Sequence, residues 1–383
     1  MTPGPLVGLV GGYGAVGRAA AEALAGGGPG RSGPIRLRVG GRRADVARRF
    51  VDTVLAGEGE AVPVDVFDQD SVARFCAGCA VVLNCAGPSY RVLDRVAGPA
   101  LAAGADYVDV GGDDPLHEKL TGRVPGGRRA LLSAGMLPGL SALLPKVLAT
   151  RFEEATGLTG YFGGIGRFTR SAAEDFLLSL GNGYGTGFAE WRDGAVRQGS
   201  LTVLEDVELP LFPRRVTAYP FLSTELRRLA EHLGLREARW YNVFDGSAAL
   251  SMLTGWQGRA ATGSADDHAA AVSRLVRASE VDAAGRAPYQ AMSLRMTGSR
   301  DGVEHTADAV LRAADGSRLT GTVGAITTAA ALAGRVPSGL HYAADVLDPG
   351  AVLGELTEVL PEVTLREFHG TPASGAVFDE GLL

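Results

Sequence analysis

The stretch GLVGGYGAVGRAAAEAL, residues 8–24, sets Gly12, Gly14 and Gly17 in G-x-G-x-x-G register between an apolar run and an alanine-rich segment. In such a strand–turn–helix one glycine permits the tight turn and one lets main chain approach a diphosphate. The third allows helix and strand to pack closely, with the diphosphate resting on the helix N-terminus. The motif is short, and its weight comes from the regular alternation of segments around it. Strand-like runs at 5–11, 35–40, 61–66, 79–85, 106–110 and 129–134 alternate with helical segments at 15–26, 43–56, 69–77, 90–103 and 114–121. Val46, Phe50, Val54 and Leu55, for example, recur at helical spacing. This rhythm predicts an α/β fold, a Rossmann doubly wound parallel sheet with right-handed βαβ crossovers. Tyr13, Ala15 and Val16 join the three glycines as expected nucleotide contacts.

The second strand should end within RVGGRR, residues 38–43. An acid at that point chelates the adenosine ribose hydroxyls and repels a 2′-phosphate. Here Gly40 and Gly41 leave room, and Arg42 and Arg43 offer fork-shaped donors matched to a phosphate dianion. The plainer reading is a solvated arginine pair at a helix start, although cations are mildly disfavoured at that helix end. The chemistry favours NADP(H) over NAD(H), with Gly41, Arg42 and Arg43 at the extra phosphate. Asp65, closing the third strand, is a candidate for the adenine end or else a turn acid. The fourth strand runs into VVLNCAGPSYR, residues 81–91, and the carboxyl ends of strands in an open parallel sheet line the ligand crevice. Asn84, Cys85, Ala86, Gly87 and Pro88 are therefore expected near the nicotinamide, or as a structural turn around a buried thiol.

A chain of 383 residues exceeds one ordinary core, since single cores stop growing at roughly 250 to 300 residues. Two domains are expected, 1–140 for the nucleotide and 141–334 for substrate binding and dimerisation, with SAGMLPGLS at 133–141 as the passage between them. In YQAMSLRMTGS, residues 289–299, Met292, Leu294 and Met296 alternate with Ser293, Arg295 and Thr297. That pattern predicts a strand meander over 289–323, turning at 300–302 and again at Asp315–Gly316. The second domain is thus expected to be α+β with a mostly antiparallel sheet, covered by helices near 171–180, 221–233 and 267–282. GGGPGRSGP at 26–34 reads as a surface loop, and the alanine-rich run at 325–334 as a buried helix.

Net charge is −6 with no basic block, which argues against a nucleic-acid surface. The first residues, MTPGPLVGLVGG, place no Lys or Arg before their short apolar run, and no apolar stretch approaches a membrane span. Cys76, Cys79 and Cys85 are the 3 cysteines, and the 6 histidines are scattered. The Cys76–Cys79 pair has no second pair to complete a metal site, so no metal is expected, and a reducing cytoplasm fits.

With these residues assembled, the chain resembles the saccharopine dehydrogenase-like (saccharopine reductase) family. The matching stretches are GGYGAVGRA at 11–19, VGGRR at 39–43, VVLNCAGP at 81–88, YVDVGGD at 107–113 and SAGMLPGLS at 133–141. AALAGRVPSGLHYAADVLDPGAVLGEL at 330–356 resembles the family's returning carboxyl-terminal part, so a segment at 335–383 is expected to pack back on the nucleotide domain. The resemblance implies a two-domain NAD(P)-dependent oxidoreductase acting at a carbon–nitrogen bond, typically by reducing an imine formed from an amine and a carbonyl. Where the family has a Glu-like acid after the fifth strand's glycine, this chain has Gly112 followed by Asp113 and Asp114.

Imine reduction needs a proton at nitrogen, while the cofactor supplies the hydride. The loop YVDVGGDDPLHEKL, residues 107–120, offers Asp109, Asp113 and His117 as acid/base candidates. Asp113 and Asp114 before Pro115 equally suit a helix N-terminus, and His117 a surface position. Tyr90 and Arg91 are candidate substrate contacts, or simply begin a helix. Arg167 and Arg170, before a helix expected from Ser171, suit a substrate carboxylate or a solvated turn. The leading expectation is a homodimeric NADPH-dependent C=N reductase of small-molecule or secondary metabolism. A C=O or C=C reductase is the second reading, and a non-catalytic dinucleotide-binding sensor or partner protein the third.

Overall fold

The computed structural model describes residues 4–26, 33–180, 183–257 and 264–369. Most of the loop read at 26–34 lies outside them. The chain divides into two compact units, Met1–Ser141 with Gly316–Pro361, and Ala142–Asp315 with Glu362–Leu383.

In the first unit seven parallel strands form one sheet. They are β1 (Leu6–Val10), β2 (Arg36–Gly41), β3 (Glu60–Pro63), β4 (Val81–Asn84), β5 (Asp106–Asp109), β6 (Arg129–Leu132) and β16 (Gly339–Tyr342). The order is β16-β6-β5-β4-β1-β2-β3, so the sequence of strands reverses between β1 and β4. A ligand crevice lies outside the strand ends at such a reversal. Strands covered on both faces read as unbroken apolar runs, and all five residues of β1 are buried. Alternate residues feed two cores: Val7, Leu9, Val39 and Leu83 enter one, and Leu6, Val10, Val82 and Tyr107 the other.

The covering helices are α1 (Ala15–Ala25), α2 (Ala44–Val54), α3 (Gln69–Cys76), α4 (Ser89–Val92), α5 (Asp94–Ala102), α6 (Asp114–Leu120), α12 (Gly316–Leu332), α13 (Ala343–Val346) and α14 (Pro349–Val359). The helix expected at 90–103 is two helices, broken at Leu93, whose φ is 45°. The meander expected over 289–323 stops at its second strand, because the residues after Asp315 form α12. That helix is buried through Leu319, Gly321, Thr322, Val323, Gly324, Ala325 and Ile326, and a run apolar on all sides carries no period to tell helix from strand. The return to the nucleotide unit therefore begins at 316 instead of 335.

The second unit contains α7 (Leu140–Ala149), which starts at the border, then β7 (Glu154–Ile165), α8 (Arg170–Ser179), β8 (Gly185–Gly187), β9 (Ala189–Arg192), β10 (Ala195–Gln198), β11 (Leu204–Val207) and β12 (Val216–Ser223). It continues with α9 (Thr224–Leu233), β13 (Glu237–Phe244), α10 (Ala248–Gln257), α11 (Ala265–Ala283), β14 (Tyr289–Arg300), β15 (Val303–Ala313) and β17 (Thr364–His369). The sheet's main path is β10-β9-β13-β7-β14-β15-β17. Its pairings are antiparallel except β7 with β13. β17, expected within the returning segment, instead pairs with β15, Leu365 opposite Leu311. Met292, Leu294 and Met296 are buried as the alternation requires. The unforeseen α10 begins where Asp282 of α11 accepts hydrogen bonds from the Ala248 and Ala249 amides at 3.0 and 2.9 Å.

A Cβ at Gly321 would sit 2.3 Å from the Val16 carbonyl oxygen on α1, whereas one at Gly354 on α14 would meet nothing within 4 Å. Gly321→Ala is expected to lower stability by about 1–3 kcal/mol through overpacking. Gly354→Ala should raise it by up to ~1 kcal/mol through helix propensity. Urea denaturation of both variants measures the contrast.

Candidate active site

Between the end of β1 at Val10 and the start of α1 at Ala15 the chain reverses. Gly11 makes the turn: its φ is +74°, and a Cβ there would lie 2.9 Å from the Ala86 amide nitrogen. This glycine stands just before the motif, and the Gly11–Gly12 pair is the sequence signal that marks it. Gly17 answers to packing, since its Cβ would come 2.3 Å from the Gly11 carbonyl oxygen and 2.6 Å from the Gly12 Cα. Gly14 is the N-cap of α1, with no side-chain cap bond and no acid in the first turn. The first amides of the helix, around Ala15 and Val16, thus meet no competing side chain, and a diphosphate suits such an end. An added Cβ at Gly11, Gly12 or Gly17 would collide with the chain around the turn, so the glycines permit the close turn and the open helix N-terminus that fit a dinucleotide.

The glycines that close β2 have a different use from the one expected. A Cβ at Gly40 would meet the Phe75 ring at 2.4 Å, and one at Gly41 the Tyr13 ring at 2.4 Å. Two aromatic rings, not a ligand, take the space. Arg42 and Arg43 are exposed, and the Arg43 amide donates to the Tyr13 hydroxyl oxygen at 3.1 Å. Asp65 lies two residues past β3, exposed, and its carboxylate accepts from the Phe67 amide at 3.0 Å, the geometry of a turn acid.

The loops after β4, β5 and β6 are tied together by Asp109. Its Oδ2 accepts from Asn84 Nδ2 at 2.9 Å and from the Tyr107 hydroxyl at 2.5 Å, while Oδ1 accepts from the amides of Gly111 and Gly112 at 2.9 and 2.8 Å. The carboxylate is buried, and four donors fill its accepting positions. This makes Asp109 an anchor of the crevice wall. Burial first, and then the adjacent Asp109 carboxylate, push the Tyr107 phenol well above its ordinary range, so it stays a donor. The Asn84 Oδ1 accepts from the Ala86 amide at 3.1 Å, and the Cys85 amide donates to the Val10 carbonyl at 2.8 Å. Ala86 therefore rests against Gly11, with Gly87 and Pro88 leading into α4, where Pro88 is the N-cap. Arg91 is exposed and Tyr90 half-buried at the start of that helix.

Asp113 is buried as the N-cap residue of α6, where its side chain makes no capping bond. The Gly112 carbonyl accepts from the Ser133 amide at 2.7 Å and hydroxyl at 2.9 Å, which joins the β5 and β6 loops. The His117 ring stacks on Tyr342 of β16 at 4.8 Å, and the Tyr342 hydroxyl donates to Asp114. The structure thus gathers Gly11–Gly17, Asn84–Pro88 and Asp109–Asp113 along the carboxyl ends of β1, β4 and β5. Arg167 and Arg170 belong to the second unit, exposed beside the start of α8. Thr169 caps that helix by accepting from the Ala172 amide at 3.1 Å.

Residues 7–121 match the family model of the saccharopine dehydrogenase NADP binding domain. The nucleotide-binding part of the chain, residues 7–121, is thus a saccharopine dehydrogenase-like NADP-binding domain. A solved structure of apo saccharopine dehydrogenase (L-Glu forming) from Saccharomyces cerevisiae has the same fold, with a TM-score of 0.69 at 16% identity over 96% of this chain and 100% of that one. DAP dehydrogenase from C. glutamicum in complex with DAP matches with a TM-score of 0.47 at 16% identity, over 92% and 96% of the two chains. A comparison with curated proteins found no match. Among the described residues, no helix is long and apolar enough to cross a membrane, and no group of three or more His, Cys, Asp or Glu could hold a metal ion.

Asp109→Ala leaves the Asn84 amide, the Tyr107 hydroxyl and two main-chain amides without their acceptor. Such a change is expected to cost about 3 kcal/mol or more in urea denaturation. Burial pushes the Cys76 thiol up to about 12, and it raises Cys79 and, with Asp109 nearby, Cys85. The thiolate is the reactive form, so an aromatic disulfide reagent at pH 7.5 should leave the buried Cys76 and Cys79 unmodified until the protein is unfolded. Rapid labelling of either in the native protein would contradict that burial.

Proposed function

We propose that this saccharopine dehydrogenase-like chain is an NADPH-dependent reductase of a carbon–nitrogen double bond in a small molecule, within small-molecule or secondary metabolism. The observation that carries the cofactor half is the end of β2. No acid stands at Gly41, and Arg42 and Arg43 come next, beside the Tyr13 hydroxyl. The observation behind the C=N half is Asp113, a buried carboxylate on the crevice loop after β5. A carboxylic acid in that setting suits an imine nitrogen, which must be protonated for reduction.

The nicotinamide, when bound, supplies the hydride. The chain's own residues do the rest. The open N-terminus of α1 binds the diphosphate through main-chain amides, and Arg42 and Arg43 neutralise the 2′-phosphate. The loop Asn84–Pro88 lines the nicotinamide half and is held by Asp109. Asp113 holds the proton at the substrate nitrogen and leaves the reacting carbon to the cofactor. The protein would work in the cytoplasm as a homodimer, a state that light scattering in solution measures.

NADPH oxidation followed at 340 nm, with cyclic imines and with amine-plus-keto-acid pairs and with NADH alongside, tests this reading. Turnover with NADPH is expected only where a C=N bond is present or forms. Arg42→Ala combined with Arg43→Ala should raise the KM for NADPH about tenfold or more, a loss of ~1.4 kcal/mol, and leave that for NADH nearly unchanged. Asp113→Asn should lower kcat without weakening NADPH binding. Equal rates on carbonyls lacking any amine, or a preference for NADH, would overturn the assignment.

A further inference from the structure

The geometry points to Tyr13 as a residue that, beside Arg42 and Arg43, sets the choice between NADPH and NADH, through the space it occupies over Gly41; this rests on the nucleotide site proposed above. Gly41 is the last residue of β2, the position from which an acid reaches the ribose hydroxyls of NAD. A Cβ at Gly41 would lie 2.4, 2.6 and 2.7 Å from Cε1, Cζ and Oη of Tyr13. An acid there must therefore displace the ring.

Three features hold the ring in place. Its backbone lies in the turn fixed by the Gly12 amide donating to the Gly40 carbonyl at 3.0 Å and the Gly14 amide donating to the Gly11 carbonyl at 2.9 Å. Its side chain packs against the core that contains Leu9 and Val39. Its hydroxyl oxygen accepts the Arg43 amide at 3.1 Å. Accepting that bond leaves the phenol its own proton to donate. Tyr13 consequently acts twice: it bars an acid from position 41, and it sets the Arg42–Arg43 turn while offering a further donor to a 2′-phosphate. Discrimination is thus shared: the arginines attract the 2′-phosphate, and the Tyr13–Gly41 pair keeps out the acid that would favour NAD.

Equilibrium titrations of NADP⁺ and NAD⁺ by calorimetry, on the wild type and on Tyr13→Phe, Gly41→Asp and Tyr13→Ala/Gly41→Asp, separate these roles. Tyr13→Phe keeps the ring and is expected to weaken NADP⁺ about tenfold with little change in NAD⁺. Gly41→Asp alone should weaken both nucleotides at least tenfold, because ring and carboxylate compete for one volume. The double variant should recover NAD⁺ binding and reverse the preference. An unchanged NADP⁺-to-NAD⁺ ratio in Tyr13→Phe overturns the donor role. A Gly41→Asp variant that binds NAD⁺ as well as the double variant overturns the steric role, because the ring would then yield freely. If the wild type binds neither nucleotide, the reading of the whole site falls, an outcome distinct from either failure.

Discussion

The contact of α1 with the turn that precedes it governs the nucleotide unit. A Cβ at Gly17 would come within 2.3 Å of the Gly11 carbonyl oxygen, so only a residue without a side chain lets the helix start that close to the end of β1. The close approach leaves the first amides of α1 at the mouth of the crevice with no side chain across them. It also sets the surface on which α12 packs, backbone near backbone at Gly321. Chain from both sides of the second unit is thereby held to one α/β layer. Main-chain geometry, rather than any charged side chain, prepares the place for the diphosphate.

The opposite wall of the crevice depends on hydrogen bonding. Asp109 collects donors from the ends of β4 and β5 and from the loop beyond them, and a buried carboxylate needs partners of that number to offset its desolvation. Two carboxylates four residues apart thus sit in different surroundings: Asp109 anchors the wall, and Asp113 is buried at the N-cap of α6. The rim near β2 is organised by an aromatic ring, with Tyr13 bridging the glycine turn and the arginine-bearing turn.

Much of this is legible in the residues themselves. Six of the seven strands of the first sheet, the helices between them and the glycine register come from short-range periodicity and turn chemistry, and the hairpin of β14 and β15 from strict alternation. The remainder depends on contacts distant along the chain. Gly40 and Gly41 read as room for a ligand because Phe75 and Tyr13, which fill that room, are far from them in sequence. Asp109 reads as an acid/base candidate because burial and the Asn84 amide, 25 residues away, complete the set of donors that its neighbours Tyr107, Gly111 and Gly112 begin. α12 reads in part as a strand because burial on all sides erases its period, and the same loss of period shifts the expected domain return to 335. Gly11 escapes notice because the three-glycine pattern is satisfied without it, although the positive φ belongs to it.

A crystal structure of the chain with NADPH bound tests the central claim most directly. The diphosphate should lie on the α1 amides after Gly14, and the 2′-phosphate within hydrogen-bond reach of Tyr13 and of the Arg42 and Arg43 side chains. An empty crevice at saturating nucleotide, or an adenosine bound with both arginines and Tyr13 turned away from its 2′-phosphate, would contradict it.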